Sequence, residues 1–492
     1  MTRVRESRAR RGRPSEIRGS TEALDARWVD ASAAATHLGI QVRSLYAYVS
    51  RGQVRSVAGA RGRPRLYALE DLERLRVRRD ARAGHGAVAA GALRWGEPVL
   101  DSAITAITPR GPAYRGHLAI DLAERGVSYE QVAELLWSGE RDTPLVMDAR
   151  AASSRNSDAA SLRNAGAGSI AWPRVAIPVA TLAKLVGETA STTALVRPLD
   201  TMPLVVQLAA LADPMRGRRH EEDARAESMR GRRHEEATRA GDGGSRHADE
   251  FAACGRRLIP LLAASLASPF SAVAITRALS GGSVARIATR ALGLDDACAP
   301  DIDRALVLLA DHELNASSFT ARVAASTEAD PYACVAAALA AVSGPKHGSA
   351  SEDLARFADR LGSVDAVRAE VRAMKRRGLA IPGFGHPLYA HGDPRATPLL
   401  EAASRVIADG GGTKRAKIIV AIVAASDAMP SVDVGLAALV AALGLEPPVA
   451  SGLFAVARSA GWLAHALEQR DAGYLLRPRA RYVGRPIDLP GS

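Results

Sequence analysis

Leu306-Val-Leu-Leu-Ala-Asp-His-Glu-Leu-Asn-Ala-Ser317 runs an apolar stretch directly into a cluster of proton-binding and hydrogen-bonding groups. The apolar part suits a buried helix. His312 and Asn315, three residues apart, would share one face if that helix continues. Downstream, Ser343-Gly-Pro-Lys-His-Gly-Ser349 sets His347 between helix breakers. Ser349-x-x-Glu352 reads as a capping box, so a helix should begin just after His347. The positive end of that helix would keep the imidazole neutral. A neutral imidazole can donate a hydrogen bond to a carbonyl that is becoming an enolate. Pro382-Gly-Phe-Gly-His-Pro387 places His386 in a second tight turn, where glycines let a ligand approach the backbone, and Asp393-Pro-Arg395 follows. Further on stand Asp433, Arg458 and Arg477.

Outward from this segment, the 492 residues suggest about three domains at roughly 150 residues each. Aromatics make up only 4% and alanine is abundant, which predicts an all-α protein. A net charge of +12 favours anionic partners: nucleic acid, phosphorylated cofactors or carboxylate substrates. Three cysteines without a CxxC pair argue against a disulfide scaffold and a structural zinc site; no metal is expected. No stretch of about 18 residues is apolar and uncharged, so no membrane span is predicted. The first 20 residues carry seven arginines and no apolar segment, which is not a secretory signal. A cytoplasmic location is expected, with residues 1–27 as a basic disordered tail.

Residues 28–84 read as a helix-turn-helix module. Trp28–Leu38 is predicted helical, Gly39 breaks it, and a second short helix resumes at Val42. Arg43 and Tyr46 on the second helix are placed to reach a DNA groove, with Arg61, Arg63 and Arg65 placed to contact phosphates. Farther along, Met215-Arg-Gly-Arg-Arg-His-Glu-Glu222 recurs as Met229-Arg-Gly-Arg-Arg-His-Glu-Glu236, and residues 214–249 read as a charged surface insertion.

Singly, these features are common. Their set and order resemble the citrate synthase family of the citrate and 2-methylcitrate type. The motifs are DHELNAS (311–317), GPKHG (344–348), GFGHPLYAHGDPRA (383–396), SVD (431–433), ARSAGW (457–462) and RPRARYVG (477–484). The resemblance spans about 95–485, thinly over 141–300. It implies a large helical domain (95–311 and 426–485), interrupted by a smaller helical lid (312–425). It implies that acetyl-CoA or propionyl-CoA is condensed with oxaloacetate, releasing CoA. Asp433 would remove a proton from the acyl-CoA, His347 would hydrogen-bond the thioester oxygen, and His386 would polarise the keto group. His312, Arg395 and Arg458 would hold the carboxylates. Arg477 would act from the neighbouring subunit, implying a homodimer. Coenzyme A enters as a thioester substrate, with no resident cofactor. The N-terminal module resembles MerR-type and excisionase-type domains, which makes DNA a partner to be tested.

Some positions depart from the family pattern. Lys346 stands where an apolar residue is usual, Gly-Ser-Ala-Ser (348–351) replaces Gly-Gly-Ala-Asn, and Pro387 follows His386. Two other readings stay open: a transcriptional regulator using a synthase-like pocket as a metabolite sensor, and a citryl-CoA lyase. Asp433 separates enzyme from sensor, because a pure sensor needs the arginines and histidines but no base.

Overall fold

The structure, a computed structural model, describes residues 28–38, 40–50, 54–57, 65–69, 71–72, 100–138, 172–173, 198–211, 213, 243–268, 270–389 and 391–478. The described residues fall into two compact units, one ahead of Ser102 and the other from Ser102 to Pro478. Arg61, Arg63 and the duplicated 215–236 segment lie outside the described residues.

In the first unit, β1 (Trp28–Asp30), β2 (Ser56–Val57) and β3 (Leu66–Ala68) form an antiparallel sheet in the order β1-β3-β2. Helices α1 (Ala31–Leu38) and α2 (Val42–Ser50) pack with it around Ala34, Leu38, Leu45, Val54, Tyr67 and Leu72. The predicted helix from Trp28 is corrected at its start. Trp28 and Val29 pair with Ala68 and Tyr67 as strand, and the Asp30 carboxylate accepts from Ala33 N at 2.8 Å, capping the helix that follows.

The second unit is almost wholly helical after a small antiparallel meander, β4 (Thr105–Thr108), β5 (Gly111–Tyr114) and β6 (His117–Leu118). Its elements run α3 (Ala119–Glu124), α4 (Tyr129–Ser138), α5 (Pro198–Leu211), α6 (Gly243–Ala264), α7 (Ala272–Leu279), α8 (Val284–Ala291) and α9 (Ala299–Leu309). Then come α10 (Ala316–Ala325), α11 (Pro331–Val342), α12 (Ala350–Leu361), α13 (Val364–Arg376), α14 (Ala396–Ala408), α15 (Lys414–Ala425), α16 (Val432–Ala442) and α17 (Pro448–Ala472). Residues 243–249, assigned above to the insertion, are the opening turns of α6.

Helix α17 is the axis of the larger core. Nearly every side chain from Ala450 to Leu467 is buried, against α4, α6, α9, α10 and α11. Gly461 is required there, because a Cβ would stand 2.2 Å from Asp311 Oδ1. A second core joins α12–α16. Within it α14 and α16 cross closely at Gly435, whose Cβ would meet Ala396 O at 2.8 Å. The sequence drew the smaller domain over 312–425. In the structure α10 and α11 contribute to the larger core, and the second core takes in residues from Leu354 to Ala442.

Candidate active site

Three connecting segments, two helix starts and the middle of α17 bring together the predicted residues of the second unit other than Arg477. The first segment, 311–315, is not helical, so His312 and Asn315 do not share a helix face as predicted. Asn315 is instead the N-cap of α10, its side chain accepting from Ser317 N and Ser318 N. Glu313 has φ 55°, a strained left-handed conformation for a non-glycine, and it turns the chain so that His312 faces inward. Buried Asp311 accepts from Glu313 N at 3.2 Å and lies 3.3 Å from His465 Nε2.

The second segment carries His347. Its Nε2 lies 2.8 Å from Ser317 Oγ, which also accepts a hydrogen bond from Trp462 Nε1 at 3.0 Å. Burial, then the charge of Arg458, pushes the imidazole down to about 4, so it is neutral at pH 7. The neutral form was expected, and burial and Arg458 favour it here. The capping box does not form: α12 begins at Ala350 as predicted, but Ser349 makes no side-chain cap and lies 2.6 Å from Pro345 O.

The third segment holds His386, and its backbone is folded onto residues 429–431. Gly385 N donates to Met429 O, Ser431 N to Gly383 O and Asp393 N to Pro430 O. Gly383 and Gly385 have φ near +80°, at 81° and 79°, and a Cβ on Gly383 would stand 2.8 Å from Val434 Cγ2. Only glycine meets both demands.

At the centre stands Tyr389, whose hydroxyl is 2.8 Å from His312 Nε2 and whose ring centroid is 5.0 Å from that of His386. The His312 and His386 rings meet edge to face at 5.5 Å. Burial, then Arg395, Arg458 and His386, hold His312 well below the usual imidazole range. Burial also lowers His386, against the opposing charge of Asp393.

Arg395 and Arg458 are each 2% exposed. Arg395 makes a bidentate pair with Asp393, Nε–Oδ1 3.0 Å and Nη2–Oδ2 2.7 Å, while Asp393 Oδ2 also accepts from Val432 N at 3.2 Å. Burial disfavours the charge on Arg395, but Asp393 outweighs it and keeps the guanidinium protonated. Its Nη1 is buried without a hydrogen-bond partner among the described residues. Arg458 donates through Nε to Leu309 O at 2.8 Å and lies 4.5 Å from the Phe454 ring centroid. A planar guanidinium with a free edge inside a buried site suits a carboxylate.

Asp433 opens α16. Burial pushes its carboxyl above the ordinary range, the Arg395 charge opposing. A carboxylate raised in this way is a stronger base than one in water.

Arg477 is not part of this cluster: it is exposed beyond the end of α17. In the first unit Arg43 and Tyr46 are exposed on α2 and Arg65 is exposed ahead of β3. The sequence reading missed Tyr389, Ser317, Trp462 and Asp311 as members of the site. All four lie inside the quoted motifs, and that position was the available signal. Among the described residues no group of three His, Cys, Asp or Glu side chains is arranged to hold a metal ion. No described helix is long and apolar enough to cross a membrane.

Residues 92–479 match the family model for the citrate synthase C-terminal domain, and residues 30–87 match that for MerR HTH family regulatory proteins. The first match takes in most of the sequence, and the chain belongs to the citrate synthase family. It is 41% identical over 186 residues to citrate synthase 2 of Bacillus subtilis, covering 37% of this chain and 50% of that protein. It is 34% identical over 187 residues to the 2-methylcitrate synthase of Shewanella oneidensis, again covering 37% and 50%. The chain thus spans about half the length of the curated relatives it matches. Its fold is similar to the crystal structure of citrate synthase from Pyrobaculum aerophilum, with a TM-score of 0.60 and 24% identity over 81% of this chain and 93% of that one.

Proposed function

We propose that the chain condenses an acyl-CoA, acetyl-CoA or propionyl-CoA, with oxaloacetate to give citrate or 2-methylcitrate and CoA. The observation that carries this reading is the convergence of two buried arginines and neutral histidines on a half-buried carboxylate with raised basicity. Asp433 takes a proton from the carbon next to the thioester carbonyl. That proton is very weakly acidic, so the enolate must be stabilised as it forms. His347 supplies the hydrogen bond to the thioester oxygen as a neutral imidazole, its ring held by the Ser317 contact at Nε2. The enol carbon attacks the keto carbon of oxaloacetate, His386 polarising the keto oxygen, which ends protonated. Water then cleaves the thioester and CoA leaves with the proton. Arg395, Arg458 and His312 hold the carboxylates. The buried Nη1 of Arg395 and the names of the relatives support a dicarboxylate in that position. The proposal includes a homodimer, with exposed Arg477 serving the site of the neighbouring subunit.

The test is Asp433→Asn, which keeps size and hydrogen bonding but loses basicity. Free-thiol release should fall by at least about 10²-fold while oxaloacetate affinity holds. Wild-type turnover would remove Asp433 from the mechanism and the reading with it. Running the same assay with acetyl-CoA and propionyl-CoA, with and without oxaloacetate, assigns the acyl chain.

A second reading concerns the first unit, favoured by its family match and by Arg43 and Tyr46 exposed on α2. We infer that this helix enters the major groove of duplex DNA. Affinity should then fall linearly with salt on a log–log plot, at about −0.9 per phosphate neutralised. Absence of salt-dependent binding to any duplex at low ionic strength would leave the unit without a DNA role.

A further inference from the structure

Ser351, a residue outside the family pattern, touches the proposed base. It is the second residue of α12 and 4% exposed. Its hydroxyl donates between the Asp433 main-chain oxygen at 3.1 Å and the Asp433 Oδ1 at 3.3 Å. The other carboxylate oxygen, Oδ2, lies 3.3 Å from the hydroxyl of Ser431, which also accepts from Asp433 N at 3.2 Å. The two serines do different things. Ser431 is the N-cap of the helix that carries Asp433, so it moves with that helix. Ser351 comes from another element, four residues past His347.

The turn between His347 and Ser351 is itself held rigidly. Ser451 of α17 places its hydroxyl 2.9 Å from Gly348 O and 2.7 Å from Glu352 Oε1. Gly348 leaves no room for a side chain, since its Cβ would stand 2.4 Å from Val342 O. His347 and Ser351 therefore sit at the two ends of one anchored turn.

We propose that Ser351 is a positioning residue whose hydroxyl ties the Asp433 carboxylate to the His347 turn. It sets the separation between the group that removes the proton and the group that steadies the resulting enol. This rests on the condensation reading above. A carboxylate alone can rotate about its terminal bond, whereas proton transfer needs one oxygen aimed along the C–H bond. Ser431 constrains that rotation within α16, and Ser351 relates it to the His347 turn. The charged and titratable groups acting on Asp433 are Arg395, Asp393, His386 and Arg458. Against burial, which raises this carboxyl, the Ser351 and Ser431 hydroxyls pull it down. Loss of Ser351 lets it rise further. The base must be ionised to act, so activity is lost as pH falls through its pKa, and the acid limb of the kcat profile moves to higher pH.

The experiment compares Ser351→Ala, Ser351→Thr and Asp433→Asn in the full-length protein. Ser351→Ala should lower kcat about tenfold, the scale of one hydrogen bond to a charged group. It should shift the acid limb upward by up to about one pH unit and leave KM for both substrates within about twofold. Ser351→Thr, which keeps the hydroxyl, should restore both kcat and the limb. A Ser351→Ala protein with unchanged kcat and an unmoved limb overturns the proposal. So does a loss of kcat that follows a loss of melting temperature while the limb stays in place, since that is a structural role. If Asp433→Asn turns over like the wild type, the condensation reading fails and the positioning role fails with it. If Asp433→Asn is inactive and Ser351→Ala is unaffected, only the positioning role fails.

Discussion

The turns that carry His347 and His386 are both glycine-rich, yet they place their imidazoles by different means. His347 is held through side chains: Ser317 meets its Nε2, and Ser317 in turn is held by Trp462 and Asn315. His386 is placed by backbone. Glycines at positive φ and main-chain hydrogen bonds to 429–431 shape its loop, and Leu388 N donates to its Nδ1 at 3.2 Å. The Leu388 N–H, a donor only, leaves the His386 hydrogen on Nε2, whereas the Ser317 hydroxyl can meet either tautomer of His347. In the proposed reaction each ring addresses one oxygen, so each mode of placement can be tested by its own substitution.

Two substitutions would break or sharpen this contrast. The larger effect belongs to Gly383→Ala. The new methyl meets Val434 Cγ2 at 2.8 Å on a backbone with φ 81°, so stability should fall by about 3 kcal/mol. Thermal denaturation would measure it, and an unchanged melting temperature would show that backbone does not govern this loop. Ser317→Ala should cost less, about 1–2 kcal/mol, mainly by leaving the buried Trp462 Nε1 without its acceptor. Its mark should be on catalysis: kcat falls while oxaloacetate affinity, measured by calorimetry, holds. If Ser317→Ala weakened oxaloacetate binding and spared kcat, the two turns would have exchanged their roles.

Much of this was legible in the sequence, for identifiable reasons. His312, His347, His386, Arg395, Asp433 and Arg458 are common residue types singly, but their set and order match the family motifs, and the structure brings them together. Tyr389 was not legible, because an aromatic beside a turn reads as ordinary core until its hydroxyl is seen 2.8 Å from His312. Ser351 was hidden by its surroundings: a serine at a helix start reads as part of a cap, and its true partner is 82 residues away. The helix predicted from Trp28 failed because the alanine-rich signal of Ala31–Leu38 was extended across Asp30, which is a cap and so a boundary. The helix expected through His312 failed because Asn315 accepts hydrogen bonds from its successors and starts a new helix. In each case local propensity was overridden by a hydrogen bond that spacing alone does not reveal.

The buried Nη1 of Arg395 carries a consequence beyond recognition. A donor shut away from water without an acceptor weakens the folded state by about 1–3 kcal/mol. A dicarboxylate that satisfied it would be a folding partner as much as a reactant. Native-state stability would rise with its concentration, by about 2.7 kcal/mol at a hundredfold excess over Kd. Under the proposed condensation, the population of intact molecules would then follow the supply of that dicarboxylate.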